Sequence, residues 1–235
     1  MLLYDGDAIG QMKDRFSIIL TTCCVTEKRL NLLKVSLDSL FLNTWMMCKQ
    51  FIICDNGDAR QTKLLKQVDC NSHLIFGENR GICYARNAGA EIAYGDYLCF
   101  IDGDLAYGHN WLGELYKLLN RFDDRKLIAT GLHGELMRRY RNWRTESNPD
   151  YQVWSRTGCG CLLIRRSDWE VLDHWSETAP KIGAEFCVHA HDKGYYFIVP
   201  IPAVAFHMDN APSYNKNYLR KSVVNTGKQV WRMRT

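Results

Sequence analysis

Apolar runs of strand length alternate with segments of helical periodicity along the first half of the chain. The runs have the length and composition of buried strands, and they cover residues 16–22, 50–58, 73–77, 97–101 and 126–131. The intervening segments carry apolar or small residues at helical spacing, in the ranges 30–41, 81–95 and 111–119. Because strands that alternate with helices form βαβ units, the pattern predicts a mostly parallel sheet with helices packed on it.

The second half of the chain is less regular. Residues 132–157 form a long polar segment, and the motif SDWE at 167–170 has the pattern of a capping box that begins a helix. The other expected elements are strands at 159–166, 195–200 and 203–207 and a short helix near 183–193. No internal repeat or linker interrupts the chain, so we expect one α/β domain over residues 1–235.

Composition sets limits on the class of protein. The chain has 235 residues, a net charge of +4, 46% hydrophobic residues and 24% charged residues, as ordinary globular proteins do. No apolar run approaches the roughly 20 residues that cross a bilayer. The N-terminal segment is acidic where a signal peptide is basic and then apolar. We therefore expect no membrane span and a cytoplasmic location.

Ten cysteines raise the question of disulfides or zinc. Most of them lie inside apolar runs, and neither Cys23-Cys24 nor Cys159-x-Cys161 has the C-x-x-C spacing of a zinc half-site. We therefore expect reduced, mostly buried thiols.

Polar residues follow several of the predicted strands directly. Ligands of open α/β sheets bind beyond the carboxyl ends of the strands, which meet at one edge. The residues expected there are Thr21, Thr22, Asp55, Asn56, Asp102, Asp104 and His207. Two carboxylates at the end of a buried strand need compensating charge, and with a histidine they suit Mn²⁺ or Mg²⁺. A turn in which Asp102 caps the following segment and Asp104 faces water is the other interpretation.

The stretch ENRGICYARNAGAEIAYGDYLCFIDGD, residues 78–104, carries the most specific motifs: N-R-G, then A-R-N-x-G, then D-x-D. In this order and spacing the chain resembles GT-A fold glycosyltransferases, most of all the large family 2 of inverting enzymes. The strand and helix at 17–40, the segment FIICDNGD and the segment GCGCLLIRRSDWE are similar to other parts of that family. The resemblance covers about residues 16–207.

The resemblance implies a metal-dependent, inverting transfer of a sugar from a nucleotide-diphosphate sugar, with a UDP-sugar favoured, to a hydroxyl of a glycan or glycoconjugate. It implies a single GT-A domain with a mixed, mostly parallel central sheet flanked by helices. The nucleotide-sugar-binding half would cover about residues 16–131, and the acceptor and catalytic half about residues 132–235. No nucleic acid is expected as a partner.

The family motifs also assign individual residues. Donor binding is expected at Thr21, Thr22, Asp55, Arg80, Arg86, Asp102, Gly103 and Asp104. Asp102, Asp104 and His207 are expected to bind Mn²⁺ or Mg²⁺. An inverting transferase needs a carboxylate base, but Ile182 and Gly183 stand where the family has an acidic pair. Glu185 falls on a later acidic position and is the expected base, with Asp192 as the lesser candidate.

Several assignments keep an alternative. Arg86 could form a structural ion pair with Asp102 or Asp104, and Asp55 could belong to an Asx turn favoured by the following Asn-Gly. The arginine-rich loop at 138–144 could bind nucleic acid. Because the acidic pair is missing, a protein of this fold that binds donor with little turnover is a further alternative.

Overall fold

The computed structural model describes residues 16–24, 26–44, 50–122, 124–132, 143–178 and 182–208. Within these residues the chain forms eleven strands. They are β1 (Phe16–Thr22), β2 (Gln50–Asp55), β3 (Ser72–Ile75), β4 (Tyr97–Asp102), β5 (Leu105–Tyr107), β6 (Leu127–Thr130), β7 (Arg144–Ser147), β8 (Tyr151–Trp154), β9 (Cys161–Arg165), β10 (Tyr196–Pro200) and β11 (Ala205–His207).

Six helices connect the strands in the same described ranges. They are α1 (Glu27–Asn43), α2 (Ala59–Leu65), α3 (Ile82–Ile92), α4 (Trp111–Leu119), α5 (Arg166–Leu172) and α6 (Ile182–Asp192). Among them, no helix combines the length and apolar character that spanning a membrane requires.

Nine strands form one mixed sheet in the order β3-β2-β1-β4-β9-β6-β10-β8-β7. The strands β3, β2, β1 and β4 are parallel, as the alternating pattern predicts. Strand β9 is antiparallel to both of its neighbours, β4 and β6, and the hairpin β7–β8 extends the sheet at the far edge. Strands β5 and β11 form a separate antiparallel pair. The predicted fold class, an α/β domain with a mixed sheet and a parallel first half, is therefore confirmed.

Alternation along the strands divides the apolar core into two layers. On β1, Ile18 and Leu20 face a cluster that includes residues of α1 and α4, whereas Ile19 faces a cluster that includes residues of α3, α5 and α6. Successive strand side chains point to opposite faces. A central strand between two helical layers therefore buries both of its faces, and this explains why Ile18, Ile19 and Leu20 follow one another without a polar residue.

One local prediction in the second half of the chain is wrong. The capping box at 167–170 does not begin α5, because this helix begins at Arg166 and makes no side-chain cap bond. The backbone N–H of Arg166 donates to Asp96 O at 2.8 Å, so a tertiary contact fixes the start of the helix. Within the polar segment, 144–147 and 151–154 pair as a hairpin whose residues Tyr151 and Trp154 are buried.

Candidate functional site

The carboxyl ends of β1, β2 and β4 lie side by side at one edge of the sheet. Thr21 is in register with Asp102 of β4, and Thr22 is in register with Asp55 of β2. With the first turn of α1 and the loop before α3, these strand ends enclose a cleft of about 340 Å³, which we call the aspartate cleft. Its walls include Thr21, Arg29, Asn56, Asn79, Asp102 and Asp104.

Asp102 is held by a buried arginine and by a backbone carbonyl. Arg86, 2% exposed, donates from Nη2 to Asp102 Oδ1 and to Cys159 O, both at 2.8 Å. The Arg86 guanidinium also lies 4.4 Å from the ring centre of Trp175, and the N–H of Asp102 donates to Gly160 O at 2.9 Å. Burial raises the pKa of Asp102, and the positive charge of Arg86 opposes that rise. The predicted structural ion pair of Arg86 is therefore present, with Asp102 as its partner.

Asp104 forms a pair with His207, the last residue of β11. Strand β5 follows Asp104 directly, and its pairing with β11 places His207 opposite Leu105. His207 Nδ1 lies 3.4 Å from Asp104 Oδ1. Burial raises the pKa of Asp104, but the hydrogen bond and charge of His207 outweigh it, so the pKa is lowered. The same pairing raises the pKa of His207 against the effect of its own burial.

Two glycines leave room around these carboxylates. A Cβ on Gly160 would lie 2.7 Å from Asp102 Oδ2 and 3.0 Å from His207 Nε2, so only a residue without a side chain fits there. A Cβ on Gly103 would lie 2.6 Å from Thr22 Oγ1. Gly103 thus lets the D-x-D turn pack against the end of β1.

The aspartate cleft has the ligand chemistry of a site for a hard divalent cation. Asp102 Oδ2 and Asp104 supply carboxylate oxygens, which suit Mg²⁺ and Mn²⁺, and His207 supplies a nitrogen. The space beside Gly160 lies between Asp102 and His207. Across the part of the chain that the structure describes, however, no three His, Cys, Asp or Glu side chains are grouped closely enough to hold an ion by themselves. Ligand oxygens would therefore have to complete the coordination.

Asp55 is enclosed by protein partners and does not line the cleft. Its Oδ1 accepts from Gln61 Nε2 and from the N–H of Gly57, the latter at 3.2 Å. Its Oδ2 accepts from Thr62 Oγ1 at 2.7 Å and lies 3.4 Å from His73 Nε2. With 0% exposure, the carboxylate is not available to a nucleotide base in this structure. The Gly57 contact is that of the Asx turn, the alternative that the sequence left open.

Amide side chains occupy the cleft wall beside Asp55. Asn56 Nδ2 donates to Asn79 Oδ1 at 3.0 Å, and Asn56 Oδ1 accepts from the N–H of Arg80 at 2.8 Å. Arg80 itself is exposed, and its guanidinium stacks on Tyr84 at 3.7 Å and donates to the Tyr84 hydroxyl. The predicted donor-binding residue Arg80 therefore supports this wall through its backbone N–H, whereas its side chain packs on Tyr84.

Thr21 carries a buried hydroxyl without a partner. The residue is 4% exposed and lines the cleft, and among the described residues nothing hydrogen bonds to its Oγ1. Because buried polar groups are nearly always paired, this hydroxyl is a candidate contact for a bound molecule. Thr22 also lines the cleft, with its Oγ1 3.4 Å from Gln61 Oε1.

Arg29 is a cleft residue that the sequence motifs miss. It lies in the first turn of α1, where its N–H donates to Thr26 Oγ1 at 3.3 Å and its carbonyl accepts from Cys24 Sγ at 3.5 Å. Its guanidinium makes no hydrogen bond or ion pair with the residues described here. The charge of Arg29 contributes to the lowered pKa of Asp104. No motif marks this position, since it precedes the leucine repeat of the helix.

Glu185 lies on a second cleft of about 450 Å³, lined also by His174, Trp175, His189 and Asp192. Trp175 separates this space from Arg86, so the structure does not place Glu185 on the wall of the aspartate cleft. The helix that carries Glu185 nevertheless reaches the segment next to Asp102, because the Cys159 thiol donates to Gly183 O at 3.4 Å.

Part of the arginine-rich loop lies outside the described residues. This holds for 138–142, which contain Arg138, Arg139 and Arg141, and for the chain from 209 onward. Arg144 is described, and it is an exposed residue at the start of β7.

Comparisons with known proteins bear on the family and the fold of the chain. The family model described as "Glycosyl transferase family 2" matches residues 17–172, which include both aspartates of the D-x-D motif. A search of the curated proteins finds no match.

Three solved structures are similar in fold. GalNAc-T7, solved with UDP, GalNAc and Mn²⁺, is 12% identical with a TM-score of 0.58, and the match covers 82% of this chain and 43% of that chain. TarS of S. aureus is 14% identical with a TM-score of 0.61, and the match covers 92% of this chain and 40% of that chain. The third is mannosyltransferase PcManGT from Pyrobaculum calidifontis, in complex with GDP-Man and Mn²⁺. It is 16% identical with a TM-score of 0.57, and the match covers 91% of this chain and 65% of that chain. The chain thus spans less than half the length of the first two and 65% of the third.

Replacing Arg86 with Met tests its place in the site. The change leaves the Asp102 carboxylate without its cation, and we expect the free energy of unfolding to fall by about 3 kcal/mol. Denaturant unfolding measures the loss. Adding Asp102→Asn should recover part of it, because the double variant has no unpaired charge. Arg60→Met, at an exposed arginine paired with Asp58, is the control and should change little. An equal fall in the free energy of unfolding of Arg86→Met and Arg60→Met would contradict the role of Arg86 as the buried partner of Asp102.

Proposed function

Because the chain belongs to glycosyl transferase family 2, we propose that this glycosyltransferase moves a sugar, with inversion, from a nucleotide-diphosphate sugar to an acceptor hydroxyl. A UDP-sugar is the favoured donor, and a glycan or glycoconjugate is the acceptor. The observation that carries the proposal is the aspartate cleft. One opening of about 340 Å³ holds the two D-x-D carboxylates, together with an arginine side chain and a buried hydroxyl that have no hydrogen-bond partner among the residues that the structure describes.

Asp102, Asp104 and His207 would hold Mn²⁺ or Mg²⁺, with donor phosphate oxygens as further ligands. When bound, the cation supplies charge that stabilises the diphosphate as it leaves. Two of the similar structures contain Mn²⁺, one with UDP and one with GDP-Man, as their descriptions state. Arg86 holds Asp102 in one orientation through its bond to Oδ1, so Oδ2 faces the space beside Gly160.

The remaining cleft residues would hold the nucleotide. Arg29 has the planar donor set that suits phosphate, and it is the cationic side chain on the described walls of the cleft. The Thr21 hydroxyl and the Asn79 amide would hydrogen bond the nucleoside. Asp55 would act on this contact indirectly, through the turn that presents Asn56 to the cleft.

Glu185 remains the proposed base. It would take the proton of the acceptor hydroxyl as that oxygen attacks the anomeric carbon. The acceptor would lie in this second cleft, which Trp175, packed against Arg86, separates from the aspartate cleft.

Asp104→Ala tests the metal and the donor class together. Thermal shifts are measured with UDP, GDP, dTDP and CMP, each with and without Mn²⁺. We expect UDP to stabilise the wild-type protein only with Mn²⁺, and we expect this shift to vanish in Asp104→Ala because a ligand oxygen is lost. Asp150→Ala, at an exposed aspartate outside the cleft, should keep the shift. Unchanged UDP stabilisation of Asp104→Ala would contradict the metal assignment, and no shift with any nucleotide would contradict the proposed function.

Arg29→Gln tests the phosphate contact. A hydrogen bond to a charged group contributes about 1.5–3 kcal/mol, so calorimetry should show roughly 10- to 100-fold weaker UDP binding. Uridine, which lacks phosphate, should bind both proteins equally. Arg60→Gln, at the exposed arginine already paired with Asp58, should leave UDP affinity unchanged. An equal loss for uridine and UDP would mean that Arg29 contacts the nucleoside.

Glu185→Gln tests the base. Without an acceptor, slow hydrolysis of the donor by water reports on the same proton transfer, and release of UDP is followed by chromatography. We expect the rate to fall about 10²- to 10⁴-fold while UDP affinity stays constant, because glutamine keeps the shape and loses the basicity. Asp192→Asn, on the same cleft, is the matched control. If the hydrolysis rate falls in Asp192→Asn and not in Glu185→Gln, Asp192 is the base.

A further inference from the structure

Two cysteines that the proposed transfer does not use lie in contact beside Asp102. Cys159 precedes β9 and Cys187 lies in α6, and their Sγ atoms are 3.7 Å apart although the residues are distant in sequence. Cys187 is fully buried. Cys159 is 8% exposed and follows Thr157 and Gly158, which are half-buried, so the pair lies just below the surface.

Of the two cysteines, Cys187 has the surroundings that favour its thiolate, because its pKa is lowered while the pKa of Cys159 is raised. Its sulfur accepts from the N–H of Thr157 at 3.5 Å, and it lies 3.7 Å from Cys159 Sγ and 3.4 Å from Thr157 O. The hydrogen bond from Cys159 lowers the pKa of Cys187 against the effect of burial. The thiolate is the form of cysteine that attacks a disulfide.

We propose that Cys159 and Cys187 form a reversible intrachain disulfide when the folded protein meets a low-molecular-weight disulfide. One thiolate attacks the small disulfide, giving a mixed disulfide and one released thiol. The second thiol then attacks the protein sulfur of that bond and releases the other half. The two protein thiols are oxidised, the small disulfide is reduced to two thiols, and the two thiol protons leave with them.

Formation of the disulfide requires only a small movement of the two sulfur atoms. A disulfide is about 2.0 Å long, so the two sulfurs need to approach by about 1.7 Å from their present contact. Cys159 lies in the loop before β9 and Cys187 lies in the middle of α6, and rotation of the two side chains can supply such a shift. The inference stands on this contact and does not rest on the proposed function.

The bond would join two parts of the site. The carbonyl of Cys159 accepts from Arg86 Nη2, and the next residue, Gly160, accepts from the N–H of Asp102. Cys187 belongs to the helix that carries Glu185. The disulfide would therefore tie this helix covalently to the segment that supports Asp102.

Peptide mapping tests the inference on the intact chain. The native protein is incubated with glutathione disulfide, remaining thiols are blocked with iodoacetamide after denaturation, and the chain is cut with trypsin. We expect residues 157–165 and 182–193 to appear as one linked peptide, with fragmentation placing the bond at Cys159. The protein should lose the mass of two hydrogen atoms, and dithiothreitol should restore it.

Cys161→Ser is the matched control, because Cys161 is buried in the same tryptic peptide and should not be needed for the bond. Cys187→Ser should abolish the linked peptide, and circular dichroism checks that both variants fold. Separate, fully alkylated peptides from native wild-type protein would overturn the inference. So would a stable glutathione adduct on one cysteine, or a bond from Cys187 to Cys161.

Discussion

The ion pair between Arg86 and Asp102 is the interaction on which the site depends. It joins a helix of the first half, the central strand β4 and the segment before β9, because Arg86 bonds both Asp102 and the Cys159 carbonyl. Removing two charges from water costs several kcal/mol per ion unless each is paired and hydrogen bonded. The arrangement meets that condition and leaves one oxygen of Asp102 open beside Gly160. The other carboxylate, Asp104, has a separate partner in His207.

The sequence predicts the first half of the fold well, because its signals are local. Uninterrupted apolar runs mark strands covered on both faces, and parallel pairing then brings Thr21 beside Asp102 in register. The convergence of these strand ends on one cleft follows from that topology alone. The family resemblance adds the order of the motifs, and the match to residues 17–172 confirms it.

The remaining features depend on contacts that no local pattern contains. Asp55 is closed off by Gln61 and Thr62 of α2, a seven-residue helix too short to leave a periodic signal. Arg29 lines the cleft because the first turn of α1 lies beside the ends of β1 and β4. No motif near Arg29 in the sequence indicates this position. The start of α5 is set by the bond from Arg166 to Asp96, a tertiary contact that replaces the expected cap.

Strand β9 and the β5–β11 pair have a consequence for the order of folding. The strand beside β4 and the histidine beside Asp104 both come from later in the chain, and Asp104 and His207 are about a hundred residues apart. Pairings of such high sequence separation must overcome a large loop-closure entropy before they contribute stability. The parallel strands β1 to β4 can therefore assemble early, while the site between them and His207 is completed only when the end of the described chain has docked.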